Sequence, residues 1–252
     1  MVHVGALPGT PHSQKGVREI ATQAAGEARV LIEAGFDALI IENMHDAPYV
    51  NGPHDPAVTA AMTRVGVAVR EVIGERVPLG VQVLSRGERE ALAVASAIGA
   101  EFIRCENFVF AHVADEGLMA EAAAGPLLRY RRAIGAERIR IFADVKKKHA
   151  SHALTADISL GEAAEAAALF GADGLIVTGT ATGKATRPDD VAAVRGATKL
   201  PVLVGSGVTP EQVRVLFRHA DGLIVGSFIK RDGVWSNPIE GARCRQIVAA
   251  RQ

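Results

Sequence analysis

Apolar residues along this chain fall into two alternating kinds of run. One kind is short and almost uninterrupted. Four segments share a pattern of small or polar lead, acidic residue and apolar run: GFDALIIEN (35–43), GAEFIRCEN (99–107), GADGLIVTG (171–179) and HADGLIVGS (219–227). Short apolar runs of this length suit strands buried on both faces, and a leading glycine suits the end of the preceding helix. Further strands are predicted at 1–5, 77–83, 138–145 and 200–207. The second kind of run is periodic. Ile20, Ala24, Ala28, Leu31 and Ile32 recur at three- and four-residue spacing, which predicts a helix ending near Gly35. Similar stripes predict helices over 57–73, 88–98, 160–170, 210–217 and 239–250, and Pro188 and Pro210 stand where helices begin.

Eight strands alternating with helices predict a parallel sheet, and the fourfold echo favours closing it into a (β/α)₈ TIM barrel over an open doubly wound sheet. The length of 252 residues fits one such barrel, so residues 1–252 are expected to form a single domain. Composition narrows the function. With 28 Lys+Arg against 28 Asp+Glu the chain has no basic surplus, which argues against a nucleic-acid partner. No apolar stretch is long enough for an integral membrane segment. Two cysteines make no disulfide framework, and the expected compartment is the cytosol.

In a TIM barrel the chemistry sits at the C-terminal strand ends. The predicted strand tips carry His3, Glu42-Asn43, Gln82, Glu106-Asn107, Asp144 to Lys146, Thr178, Gly205-Ser206-Gly207 and Gly226-Ser227, polar tips on apolar strands. The glycine–serine turns at 205–207 and 226–227 suit a phosphate, since glycine lets backbone N–H groups approach its oxygens and serine adds a hydroxyl; their bland reading is two tight turns. Thr178 and Thr180, in a polar loop that fails the Walker A spacing, are further substrate-contact candidates, as are Asn43, Gln82 and Asn107. Glu42, Glu106 and Asp144 are the acid–base candidates, because neighbouring carboxylates raise one another's pKa. Lys146, two residues beyond Asp144, is expected on the same side of the pleat, where it would orient a proton or hold an anion. Lys148 is read as solvated, and Cys105 as packing. No cofactor is implied. A divalent ion on Glu42, Glu106 or Asp144 with a histidine stands as an alternative, although no metal-ligand motif is present. The long segment 107–125, with Phe108 and Phe110, is expected to be a lid or a subunit contact in a homo-oligomer.

Several motifs together resemble one family. VHVGALPGTP (2–11), IIENMHDAPYVNG (40–52), FADVKKKHASH (142–152), ADISLGEAAEAA (156–167), TGTATGKATRPDDV (178–191) and LPVLVGSGVTPEQV (200–213) are similar to the BtpA/SgcQ family, over essentially the whole chain. The resemblance implies a ribulose-phosphate-binding-type barrel. It also implies a short segment before the first strand, so the sequence is expected to start late, with a native start upstream of Met1. At the fourth strand tip Glu106-Asn107 stands where members commonly show Val-Asn, leaving Asn107 or Glu106 to match the family's asparagine. One branch is associated with photosystem I accumulation and another with a sugar-metabolism gene cluster and a provisional nucleosidase label. The expectation is therefore an enzyme acting on a small phosphorylated sugar or nucleoside-like metabolite, by N-glycosidic cleavage or by isomerase or aldol chemistry. The alternatives are a non-catalytic assembly factor and a phosphosugar sensor.

Overall fold

Eight parallel strands form one sheet: β1 (Val2–His3), β2 (Leu39–Glu42), β3 (Leu79–Gln82), β4 (Phe102–Cys105), β7 (Arg140–Val145), β9 (Gly174–Val177), β10 (Val202–Val204) and β11 (Gly222–Leu223), neighbours in that order. The structure is a computed structural model and describes residues 1–179, 181–182 and 184–251. Between the strands run α1 (Val17–Glu33), α2 (Pro56–Ile73), α3 (Glu88–Ile98), α4 (Ala124–Ala133), α5 (Leu160–Leu169), α6 (Pro188–Ala197), α7 (Pro210–Leu216) and α8 (Gly241–Ala249). The sheet curls round until the Met1 amino group donates to the Val225 carbonyl at 2.9 Å, joining the first strand to the chain just after the last. The fold is the expected α/β barrel.

All four residues of β2, of β3 and of β9 are buried, as a sheet faced by helices outside and side chains inside requires. Inside, Phe102 and Phe142 meet edge to face with centroids 5.5 Å apart. Their neighbours Gly80 and Gly174 leave the room, since a Cβ on either would enter one of those rings.

The acidic residue of each echoed segment has a structural task at the opposite end of the barrel from the strand tips. Glu101 accepts from Leu79 N (2.7 Å) and pairs with Arg70 (2.8 Å). Asp173 accepts from Ile141 N (2.9 Å) and pairs with Arg131 (2.7 Å). Asp221 accepts from Val202 N (2.8 Å) and pairs with Arg195. Each carboxylate thus clamps the start of the preceding strand to an arginine of a helix. Asp37 differs, pairing with Arg251 at 2.6 Å. The leading glycines Gly35, Gly99 and Gly171 all have positive φ (95°, 66° and 88°), the conformation that ends a helix.

Two features depart from expectation. Helix α4 carries too thin an apolar stripe to be read, burying only Ala124 and Leu127. The segment 107–125 is not an open lid but a hairpin, β5 (His112–Ala114) and β6 (Gly117–Met119), which β8 (Ala150–Ser151) extends antiparallel on the β5 side. This small sheet stands over one side of the barrel mouth.

Candidate functional site

Parallel register places inward-facing strand tips side by side. His3 is level with Glu42, and Glu42 with Gln82. One strand further, Arg104 projects inward from β4, two residues before Glu106 and on the same face. Its guanidinium donates to both carboxylate oxygens of Asp144, Nε to Oδ1 at 2.8 Å and Nη2 to Oδ2 at 2.9 Å. Burial works against the Arg104 charge, but Asp144 more than compensates and raises its pKa. Next, Lys147 reaches Glu106 at 3.4 Å and Glu116, in the hairpin turn, at 3.8 Å. Burial pushes the Glu106 carboxyl up, yet Lys147 and Arg104 hold it below the ordinary value.

Those pairings leave two charged groups over. Glu42 is buried, its nearest basic partner being His3 Nε2 at 3.9 Å, and desolvation raises its pKa against the pull of Arg104 and Lys148. Lys148 lines the same mouth and donates to the Thr182 hydroxyl at 3.3 Å; among the described residues no carboxylate is within ion-pairing distance of it. Burial, then Arg104, lower its pKa. Burial also pushes the His3 imidazole well down, with Nδ1 on the Trp235 carbonyl (2.9 Å) and Nε2 turned to the mouth, so the neutral ring donates from Nδ1 and keeps an acceptor on Nε2.

The other walls of the mouth are the glycine turns, Gly205, Ser206 and Gly207 after β10 and Gly226 and Ser227 after β11. Gly207 has φ 64°, and a Cβ there would strike the Lys184 carbonyl. A Cβ at Gly226 would lie 3.1 Å from His3 Nε2, and one at Gly205 3.5 Å from Arg104 Nη2. Gly205 N–H is spent on Val177 O (2.9 Å). The N–H groups of Gly207, Gly226 and Ser227 donate to no acceptor among the described residues. Two inward polar atoms, Gln82 Oε1 and Thr178 Oγ1, are buried and have no hydrogen-bond partner among the described residues, an arrangement that costs stability unless a ligand answers it.

Several predicted residues are placed otherwise. Lys146 does not share the mouth with Asp144. It adopts φ 52°, which breaks the pleat, and its ammonium lies on the Ile158 and Thr155 carbonyls. Lys148, expected in solvent, takes the inward place. Asn43 is fully used, receiving Leu84 N (2.6 Å) and donating to Asp46 (2.8 Å) and Leu84 O (3.1 Å), a brace between β2 and β3. Asn107 donates to Glu121 O (2.7 Å) under the hairpin. The Ser206 hydroxyl is spent on the Ala181 and Lys184 carbonyls, at 3.1 and 3.2 Å. Thr180 lies outside the described residues. Cys105 is buried and faces Glu88 of α3; burial and then Glu88 raise its thiol, which suits packing. The acidic cluster does not fit a metal: Asp144 and Glu106 are neutralised by Arg104 and Lys147, and among the described residues no three His, Cys, Asp or Glu side chains gather to ligate one. Arg104, Lys147 and Lys148 were not among the predicted site residues; the signal for Arg104 was a charge inside an apolar run at period two from Glu106.

Among the described residues no helix is long and apolar enough to cross a membrane. A Caenorhabditis elegans protein named as mitochondrial is 44% identical over 251 residues, 98% of this chain and 90% of that one. The photosystem I biogenesis protein BtpA of a Synechocystis strain is 34% identical over 251 residues, 99% and 86% of the two chains. Among solved structures, the (S)-3-O-geranylgeranylglyceryl phosphate synthase of Thermoplasma acidophilum, in complex with sn-glycerol-1-phosphate, aligns with TM-score 0.60 at 16% identity, over 91% and 87% of the chains. A thiamine phosphate pyrophosphorylase of Pyrococcus furiosus aligns with TM-score 0.59 at 16% identity, over 90% and 88%. At such identity the two structures speak for the fold alone. The BtpA family model matches residues 1–252, and with relatives this similar over nearly their whole length the chain belongs to the BtpA family.

Proposed function

We propose that this chain is an enzyme that binds a small phosphorylated metabolite at the C-terminal barrel mouth and moves a proton on it. One observation carries the reading: Glu42 and Lys148 are the two mouth charges without a strong ion pair, and burial pushes both toward neutrality, from opposite directions. A carboxyl with a raised pKa and an ammonium with a lowered one are suited to give and take protons near neutral pH. The N–H groups of Gly207, Gly226 and Ser227 take the phosphoryl oxygens, with Arg104 and Lys148 supplying positive charge beside them. Gln82 and Thr178 answer substrate hydroxyls. Arg104 and Asp144 act as a positioning pair, and His3 Nε2 accepts a hydrogen bond beside Glu42. The sn-glycerol-1-phosphate held by the Thermoplasma relative in fold is in keeping with a phosphorylated ligand. The free space among these groups is only about 30 Å³, so this reading requires the Ala181 and Lys184 carbonyls to release Ser206 when a substrate enters. We place the activity in the cytosol, where the two buried thiols stay reduced.

The test is untargeted metabolite profiling with purified protein. The expected result is consumption of a phosphorylated compound, lost in Glu42→Gln and Lys148→Met while Tm holds within a few degrees. Undiminished turnover in both variants refutes the roles; no consumed compound and no thermal shift with any sugar phosphate refutes the enzyme reading.

A second reading, a non-catalytic assembly factor, is favoured by one feature. Val113 and Leu118, cross-strand partners on the hairpin, are exposed, as are Val50 and Leu154 nearby. In that case charging this face, as in Leu118→Glu, abolishes the cellular phenotype and Glu42→Gln leaves it intact. A second copy of this chain is an occupant the same face allows.

A further inference from the structure

Outside the mouth, a concavity of about 360 Å³ lies on the strand-tip face, between the segment after β1 and the segment after β11. That is a small-molecule size. Its wall is Trp235, the only tryptophan in the chain. The ring is half-buried and touches two imidazoles, His45 at 5.1 Å between centroids and His3 at 6.3 Å. Among the described residues neither the indole N–H nor the His45 ring takes part in a hydrogen bond, so an aromatic surface and its polar edges face an open groove. Burial, then Lys230, keep His45 neutral by lowering its pKa.

The charges around the groove are answered within the chain. Lys15 pairs with Glu19 (3.2 Å) and donates to Gln23 (3.1 Å), and Lys230 is buried on Glu27 (2.9 Å). Besides these the groove is lined by the aromatic pair, the His12 imidazole, the apolar Ile20, the Ser236 hydroxyl and the side-chain amides of Gln14 and Asn237. This is a surface for a neutral planar ring with hydrogen-bonding edges, stacked on Trp235. It is a poor one for an anion.

His3 ties this groove to the mouth, since its Nε2 faces Glu42 and Gly226 while its Nδ1 holds the Trp235 carbonyl. Met44 lines the mouth and His45 the groove. We infer that the groove walled by Trp235 and His45 is a second subsite, taking a neutral aromatic or heteroaromatic ring carried by the same molecule whose phosphoryl group sits on the glycine turns. This rests on the phosphate reading of the mouth, and it narrows the substrate class to ring-bearing phosphorylated compounds.

Because Trp235 is the sole tryptophan, emission excited at the red edge of indole absorption, where Tyr49 and Tyr130 barely absorb, reports on the groove. Three probes separate the two ends: AMP (ring and phosphate), adenosine (ring only) and ribose 5-phosphate (phosphate only), each titrated by fluorescence and calorimetry. AMP and adenosine quench Trp235 emission, ribose 5-phosphate binds without quenching, and AMP binds tightest. Trp235→Ala lowers the preference for AMP over ribose 5-phosphate by roughly 10- to 100-fold, and Trp235→Phe retains it. Equal affinity for AMP and ribose 5-phosphate, without quenching, overturns the ring subsite and leaves the phosphate reading standing. Quenching by AMP and adenosine at equal affinity, with no ribose 5-phosphate binding, keeps the subsite and overturns the phosphate reading. Binding of none at millimolar concentration overturns both.

Discussion

Removing Arg104 should damage this barrel more than removing its partner. The two side chains are 2% and 1% exposed, and the guanidinium spans both oxygens of Asp144. At an effective dielectric near 20, two opposite charges ~4 Å apart attract by about 4 kcal/mol. Arg104→Met forfeits that attraction and leaves a carboxylate in the interior, a change that costs ~3–5 kcal/mol. Asp144→Asn leaves a buried guanidinium that still faces Glu42 and Glu106, both of which favour its charge, so the loss is smaller. For a chain of this size each kcal/mol moves Tm by roughly 2–4 °C, which puts Arg104→Met about 10 °C down. The double variant should recover part of that, because no charge is left unpaired. Urea unfolding of the two single variants and the double variant closes the cycle. The reasoning fails if Arg104→Met lies within about 1 kcal/mol of the parent, or if the two single losses simply add.

Three further predictions follow the same logic. Burial pushes the Glu88 carboxyl from 4.5 up to about 7, so the folded state holds its proton longer than the unfolded state does. Stability therefore falls as pH rises between those values, by roughly 3 kcal/mol, and Glu88→Gln should flatten urea midpoints measured from pH 5 to 8; parallel profiles for both proteins would falsify this. Glu116→Gln removes the hairpin's ionic hold on Lys147, and hydrogen exchange at residues 112–119 should quicken while exchange in β2 and β3 is unchanged; uniform quickening would mean global destabilisation instead. Gly80→Ala drives a methyl into the Phe102 ring and should lower stability by ~1–3 kcal/mol in thermal unfolding, an unchanged Tm counting against the packing described for the barrel floor.

The loudest pattern in the sequence concerns stability. The echoed acidic residues read as part of a strand motif, and Glu101, Asp173 and Asp221 do hold strand starts to helix arginines at the end away from the mouth. The strands were legible because parallel strands are buried on both faces, and α3 because its apolar stripe covers its full length. Where an exposed face or many charges diluted the pattern, as in β5, β6 and α4, it was not. At the site the failures are equally local. Alternation carried past the end of β7 predicts Lys146 beside Asp144, but Lys146 takes a left-handed backbone and turns away, and the two lysines after it turn inward. Ser206 is of the right type at the right turn, yet its hydroxyl is claimed by carbonyls more than twenty residues earlier, a contact no spacing rule contains.

Charge pairing decides which carboxylate is left to do chemistry. Three acidic strand tips alone suggest mutual repulsion and pKa values raised together. Arg104, hidden inside an apolar run, and Lys147, past a break in the pleat, each neutralise one of them. Glu42 is left without a strong partner, so desolvation raises its pKa, while Glu106 under the same burial is held below its ordinary value. A mouth built this way separates positioning charges from a proton-transferring one by ion pairing, although both kinds are carboxylates at strand tips of one barrel.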